Sequence, residues 1–431
     1  MEYINRAVEP EIVKRLHSGK INVVLGPRQS GKTTMVRHLV DECHLDALWL
    51  NADMLDVREL LTNMSPEKWR QLIAGHNAVV VDEAQRVEDI GLALKILIDS
   101  FGEMPIIVTG SSAFNLRTRL DEPLTGRKFE WTLLPPSFAE LARRNLLSER
   151  RLVESRLVHG SYPGVLADAE DRDRLVCSLA SSYLYKDVLA LDGIAKASVL
   201  DKLVRALSFQ IGQEVSYQEL AGLVGVDRKT VERYVDILKK CFVVFELPAF
   251  ARNQRNEIRK SRKVYFYDLG IRNAVIGNLL PLSSRPQEEI GHLWENYLIA
   301  ERLKLNVNRP APARMFFWRT RTQQEVDYIE EGPSGMRAWE MKWNPKSAEH
   351  GKLPKAFIEA YPEAQAGFVT PANLQDFLLN CCRGGNDKTR LYPRGGVCGG
   401  RVSGAGLPVA VGAICRGKRS GAPRGPETGG G

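Results

Sequence analysis

The stretch Ile21-Asn22-Val23-Val24-Leu25-Gly26-Pro27-Arg28-Gln29-Ser30-Gly31-Lys32-Thr33-Thr34 decides how the first third of this 431-residue chain is read. A mostly apolar run of strand type leads into Gly-x-x-x-x-Gly-Lys-Thr, and helical spacing follows over Thr33–Val40. That order predicts a phosphate-binding loop. Gly26 and Gly31 let the backbone curl so that its N–H groups face phosphate oxygens. The helix start adds the positive end of its dipole. The spacing gives Lys32 to the β/γ oxygens and the Thr33 hydroxyl to Mg²⁺. The whole cradle, Gly26 to Thr34, is a candidate nucleotide site.

Outward from it, strands are expected at Ala47–Asn51, Ala78–Val81, Pro105–Thr109 and Phe129–Leu133, with a helix-patterned stretch at Gly91–Phe101. Such alternation predicts an α/β domain whose parallel sheet is covered on both faces. The run Ala78–Val81 ends in Asp82-Glu83. Asp82 is expected to hold Mg²⁺ beside Thr33, and Glu83 to polarise the attacking water. In Thr109-Gly110-Ser111-Ser112 a polar strand end, Thr109 first, would meet the γ-phosphate or the water. Arg127, just before the last strand, fits an arginine finger and fits a surface ion pair equally well. No motif marks a guanine, so ATP is expected rather than GTP.

Residues 137–192 read as mostly helical. Val215–Val226 reads as helix then turn, and Asp227 is placed to cap a second helix over Arg228–Leu238. The apolar run Phe242–Leu247 follows, the order of a winged helix-turn-helix. Arg228, Lys229 and Arg233 are candidate DNA contacts, and Arg252, Arg255, Arg259 and Arg262, in a basic stretch that also holds Lys260 and Lys263, would continue the track. A protein-binding winged helix is the alternative reading. Further on, Leu293, Tyr297, Ile299 and Leu303 have helical spacing, and Phe316-Phe317-Trp318, Glu325–Ile329 and Ala338–Trp343 read as strands. Period two puts Glu340 and Lys342 on one face. Glu295, Asp327 and Glu340-x-Lys342 follow the pattern of the restriction-endonuclease-like nuclease fold. Asp327 and Glu340 would hold a second Mg²⁺ or Mn²⁺ through hard oxygen ligands, Glu295 would complete the shell, and Lys342 would orient the water or stabilise the phosphate. Taken singly, each acid reads as a solvated strand residue. Trp318, Trp339 and Trp343 suit base stacking or sheet packing.

The runs Gly26–Thr34, Val81-Asp82-Glu83-Ala84-Gln85, Thr109-Gly110-Ser111-Ser112, Gly126-Arg127 and Leu133–Phe138 together resemble a family of prokaryotic AAA+-type ATPases with a C-terminal domain of unknown function. Gly160-Ser161-Tyr162-Pro163-Gly164 and Tyr183–Val188 match its helical segment. The resemblance covers about residues 5–380 and implies an ATP-binding core, a helical lid, a winged helix and a nuclease-like C-terminal domain. Thr125 departs from the small residue commoner there, and leaves Gly126-Arg127 intact. Asp82-Glu83-Ala84-Gln85 also resembles the box of one helicase class, but that class needs a second motor domain, and no such run follows residue 150. The expected divisions are 1–135 for the core, 136–195 for the lid, 196–263 for the winged helix and basic linker, 264–380 for the nuclease-like domain and 381–431 for a tail.

The chain is 44% hydrophobic and 26% charged, ordinary for a globular protein, with a formal charge of +8. From Cys381 onward, nine basic and two acidic residues carry +7 of that charge among 15 glycines. Residues 1–380 are therefore almost neutral, and the overall charge is poor evidence for a nucleic-acid partner. The tail reads as disordered. It carries four of the seven cysteines without paired C-x-x-C spacing, which argues against zinc. The scattered Cys43, Cys177 and Cys241 suit a reducing cytoplasm and small buried thiols. No apolar run reaches 18 residues, and no secretory leader is expected. Two functions follow. One is a Mg²⁺-dependent ATPase that couples nucleotide state to DNA binding or processing. The other is an ATP-driven switch that binds DNA or a protein partner without cutting. A homo-oligomer is required if Arg127 acts on a neighbouring copy.

Overall fold

Strands form where buried apolar runs demand them: β1 Ile21–Leu25, β2 Ala47–Asn51, β3 Ala78–Asp82, β4 Ile106–Gly110 and β5 Lys128–Thr132. Each lies within one residue of its expected bounds. The computed structural model describes residues 2–111, 120, 123–182, 197–251, 262–349 and 351–379, all within one compact unit. The five strands make one parallel sheet in the order β2-β3-β4-β1-β5. Alternation sends Val23, Leu25, Val79, Val81 and Val108 to one face. It sends Val24, Val80 and Ile107 to the other, against Met35, Val36 and Leu39 of the helix Lys32–Glu42. The carboxyl ends of β1, β3 and β4 therefore meet at one edge of the sheet.

Short helices follow at Phe138–Ala142, Leu146–Arg151, Val153–His159, Pro163–Ala167 and Arg172–Ser182. Ser137 and Glu140 close a reciprocal capping box on the first of these. Then come Ala197–Phe209, Tyr217–Val224 and Arg228–Lys240. Asp227 caps the last, its Oδ1 accepting from Thr230 N at 2.9 Å. That helix buries Val231, Tyr234, Val235 and Leu238, while Arg228, Lys229 and Arg233 are exposed. An antiparallel pair, β6 Val244–Pro248 and β7 Arg262–Phe266, comes next, so a division at 263 falls inside a strand.

The long helix Gln287–Asn306 lies against β7: Asn296 accepts from Phe266 N at 2.9 Å and donates to Phe266 O at 2.8 Å. The second sheet, in the order β11-β10-β9-β8, contains β8 Arg314–Arg319, β9 Glu325–Gly332, β10 Gly335–Met341 and β11 Gln365–Val369. Only β10 and β11 run parallel in it. Phe250 N donates to Phe317 O at 2.7 Å, tying the chain after β6 to this sheet. One hydrophobic cluster runs from Phe138 to Leu378. The tryptophans considered for base stacking pack within the protein: Trp318 on Phe357, Trp339 on Tyr328 and Phe377, Trp343 on Trp294. Buried polar bonds join the segments. Glu301 accepts from Phe138 N at 2.6 Å, Lys304 reaches Glu301 at 2.7 Å and Ser161 Oγ at 3.2 Å, and Asp268 accepts from Ser161 N at 2.7 Å. Among the described residues no helix is long and apolar enough to cross a membrane. Cys241 is buried and Cys43 half-buried, whereas Cys177 is exposed, unlike the buried thiol expected.

Candidate nucleotide and metal sites

Gly26 follows β1 so closely against the chain after β5 that a Cβ there would lie 2.1 Å from the Leu133 carbonyl oxygen. Only glycine fits this approach. Gly31 stands at φ +92 at the N-terminus of the helix Lys32–Glu42, which opens the amide cradle. The loop's lysine is drawn inward: Lys32 Nζ donates to Gly26 O at 3.0 Å and Pro27 O at 2.9 Å. Across the sheet edge, Thr33 Oγ1 donates to Asp82 Oδ2 at 2.9 Å. Thr109 Oγ1 donates to the other Asp82 oxygen and accepts from Glu83 N at 3.1 Å. Glu83 takes a left-handed backbone, φ +52. Gln85 Nε2 donates both to Glu83 Oε2 and, at 2.8 Å, to Ser111 Oγ. Lys32, Thr33, Asp82, Glu83 and Thr109 are thus brought together as expected; Ser112 lies outside the described residues.

Two parts of this site escaped the sequence reading. Arg6, 5% exposed, donates to Ser30 O at 3.0 Å and pairs with Glu140 at 3.3 Å. Burial pushes the Glu140 carboxyl upward, but Arg6 and the N–H groups of Ala7 and Ser137 outweigh it and hold it below its ordinary value. Nothing local in the sequence marks that pairing, which spans the whole sheet. Beside the loop, a cleft of about 230 Å³ is lined by Tyr3, Ile4, Ser30, Gly31, Pro136 and Pro163, among others.

Arg127 is not brought to this edge. Its carbonyl accepts from Ile21 N at 2.9 Å, at the start of β1, and its guanidinium pairs with Asp99 at 2.7 Å on the surface. The loop begins at the far end of β1, on the order of 15 Å away at about 3.3 Å per residue. In this structure Arg127 therefore stands away from the nucleotide site of its own chain.

The second constellation gathers around a cleft of about 840 Å³, between the segment Gly212–Glu214, β7, the long helix and β9–β10. Glu295, Asp327 and Lys342 line it, and carboxylate oxygens of Glu295, Glu325 and Asp327 lie within 4.8 Å of one another. Asp327 Oδ2 accepts from Met341 N at 2.7 Å. Lys342 pairs with Glu340 at 2.9 Å, and the other Glu340 oxygen is buried with no hydrogen-bond partner. Burial first, then the neighbouring Glu295, pushes Asp327 up to about 7. Burial first, then Asp327, pushes Glu340 up to about 7. Burial works against the Lys342 ammonium, but Glu340 and Asp327 prevail and raise it. Glu295, Glu325 and Asp327 form a hard-oxygen donor set that fits Mg²⁺ or Mn²⁺, whereas Glu340, expected as a ligand, stands beside Asp327 but outside that group and outside the cleft lining.

Glu325 and Lys263 belong to this cluster and were not expected in it. Lys263, read as the end of a basic stretch, is 1% exposed and reaches Glu295 Oε1 at 3.0 Å and Glu325. Arg262 is drawn to Glu246 at 3.4 Å and lies over the Tyr217 ring. Arg252, Arg255, Arg259 and Lys260 lie outside the described residues.

Residues 18–142 match the family described as AAA domain. Their five-stranded parallel sheet and Gly26–Thr34 loop are consistent with a P-loop ATPase core. Residues 150–281 and 290–381 of the chain match two families described as domains of unknown function, DUF8612 and DUF4143. An uncharacterized protein of Mycobacterium tuberculosis is 27% identical over 329 residues, covering 74% of this chain and 69% of its own length. One from Methanocaldococcus jannaschii is 25% identical over 312 residues, 62% of this chain and 65% of that protein. The Walker-type ATPase of Pyrococcus abyssi is a similar solved structure: TM-score 0.45, 15% identity, 63% of this chain and 96% of that one.

Proposed function

We propose that the protein is a Mg²⁺-dependent ATPase whose nucleotide state is passed to its C-terminal half. The observation that carries this is the joint placement of Lys32, Thr33, Asp82, Glu83 and Thr109 at one sheet edge. Thr33 and Asp82 would hold Mg²⁺, which would neutralise phosphate charge. Lys32 would leave its two carbonyls for the β/γ oxygens, and Glu83 would orient the attacking water. The apolar cleft at Tyr3, Ile4, Pro136 and Pro163 supports a seat for the adenine base. The buried chain of bonds from Phe138 through Glu301 and Lys304 to Ser161 supports coupling to the rest of the molecule. Lys32→Ala should abolish ATP binding or hydrolysis, and Glu83→Gln should keep ATP bound while turnover stalls. Equilibrium binding of a fluorescent ATP analogue and phosphate release separate the two. Normal hydrolysis by the Lys32 variant would remove the loop from its role.

The carboxylate cleft favours a second activity on DNA. The helix pair with its β6–β7 hairpin is read as a winged helix whose exposed Arg228, Lys229 and Arg233 meet phosphates or the major groove. Asp327 and Glu340, with Glu295, would hold Mg²⁺ or Mn²⁺, which would supply Lewis-acid activation of a phosphodiester. Lys342 would place the water or meet the developing charge. The orphaned Glu340 oxygen is what favours this over a solvated acidic patch. Cutting of single-stranded, duplex or branched DNA that needs Mn²⁺ and is lost in Glu340→Ala is the expected result. No cutting on any of them would leave an ATP-driven switch that grips DNA or a protein partner.

A further inference from the structure

We propose that Lys263 sets the cation selectivity of the C-terminal carboxylate site, its ammonium competing with a divalent ion for Glu295 and Glu325 and weakening, without abolishing, the ion's binding. This rests on the reading of Glu295, Asp327 and Glu340 as a cation site. A lysine buried to 1% exposure must be fully paired, and this one is aimed into the acids from a different element, β7. Its Nζ reaches Glu295 Oε1 at 3.0 Å, and the Tyr265 hydroxyl donates to the same oxygen at 2.5 Å. A carboxylate oxygen has two lone-pair directions, and these two donors fill them. Glu325 is paired as well, with Lys263 through one oxygen and in an ion pair with Arg319 at 3.4 Å through the other. The Phe317 ring, 5.4 Å from Nζ, closes the remaining side.

The two halves of the cluster are therefore unequal. The Glu295–Glu325 half already has its cation. The Asp327–Glu340 half keeps an oxygen without a partner. A divalent ion shared between the halves would sit within about 5 Å of the ammonium, where repulsion at an effective dielectric near 20 costs far more than a tenfold change in affinity. The selecting residue also belongs to the helix-pair segment. β7 pairs with β6, whose Glu246 is held by Lys239 of the helix Arg228–Lys240 at 2.6 Å.

The test is Mn²⁺ binding to the full chain without nucleotide, read by electron paramagnetic resonance of free Mn²⁺. Lys263→Met should bind Mn²⁺ at least tenfold more tightly than the wild type, and adding Glu340→Gln should abolish that gain. Lys263→Arg, which keeps the charge, should behave as wild type. The pair Lys263→Met with Glu325→Gln removes one charge of each sign, and should show the same gain where the single variant does not fold. Equal, Glu340-dependent binding in wild type and Lys263→Met would overturn the selectivity and leave the cation site standing. No Glu340-dependent binding in any variant would overturn the cation site itself. Failure of both variants to fold even in millimolar Mn²⁺ would overturn the proposal too, because an ion taking the ammonium's place should restore the fold.

Discussion

Glu83 stands at φ +52, a conformation costing on the order of 1 kcal/mol or more for a residue with a side chain, and hydrogen bonds on both sides hold it there. The Gln85 amide nitrogen has two hydrogens: one goes to Glu83, the other to Ser111 Oγ. Gln85 thus positions the Glu83 carboxylate, and on the function proposed above it would act on the attacking water through it. Gln85→Ala should lower kcat about tenfold or more while the KM for ATP stays nearly constant, and Gln85→Asn should recover part of the loss. Steady-state phosphate release decides this, and an unchanged kcat in the alanine variant would reject the role. The placement of Asp82 beside Thr33 was legible in the sequence because acids that close an apolar strand share the sheet edge with the loop after β1. Gln85 stood in the same run, but its role depends on a turn that brings it back over Glu83. Lys263 was misread for a related reason. Its neighbours are basic, whereas its partners, Glu295 and Glu325, are 32 and 62 residues away.

At the scale of elements, strand direction governs what a residue can reach. In the parallel sheet, residues that follow a strand share one edge and residues that precede a strand share the other. Asp82, Thr109 and the loop after β1 belong to the first group, Arg127 to the second. That rule was available from the sequence once β5 had been placed. Strand β10 carries a pH signature. Burial and Asp327 push Glu340 up to about 7, so folding favours its protonated form. The associated stability is fully present at acid pH and is lost as pH rises through about 7. Glu340→Gln is neutral at every pH. It should match the wild type near pH 5 and exceed it near pH 8.5, by on the order of 1–3 kcal/mol. Calorimetric melting across that range checks the sign, and a variant less stable at high pH than the wild type would contradict it.

At the scale of the whole molecule, an Arg127 that completes a nucleotide site must complete a neighbour's. Arg127→Ala should then slow turnover at least about tenfold. Mixing it with Lys32→Ala should restore part of the activity, each copy supplying what the other lacks. Turnover independent of protein concentration, with no recovery on mixing, would leave Arg127 as the surface partner of Asp99. The shared core has a different consequence, one for biosynthesis. The first sheet packs almost entirely within residues 8–134, so its interior can close early in synthesis. The helices from Phe138 onward pack into a cluster that ends at Leu378. At about 5–20 residues per second, the apolar faces of Phe138, Leu157 and Val158 wait on the order of 10–50 s for their last neighbours to leave the ribosome. For that interval the nascent chain is a closed parallel sheet followed by helices whose apolar faces are still uncovered.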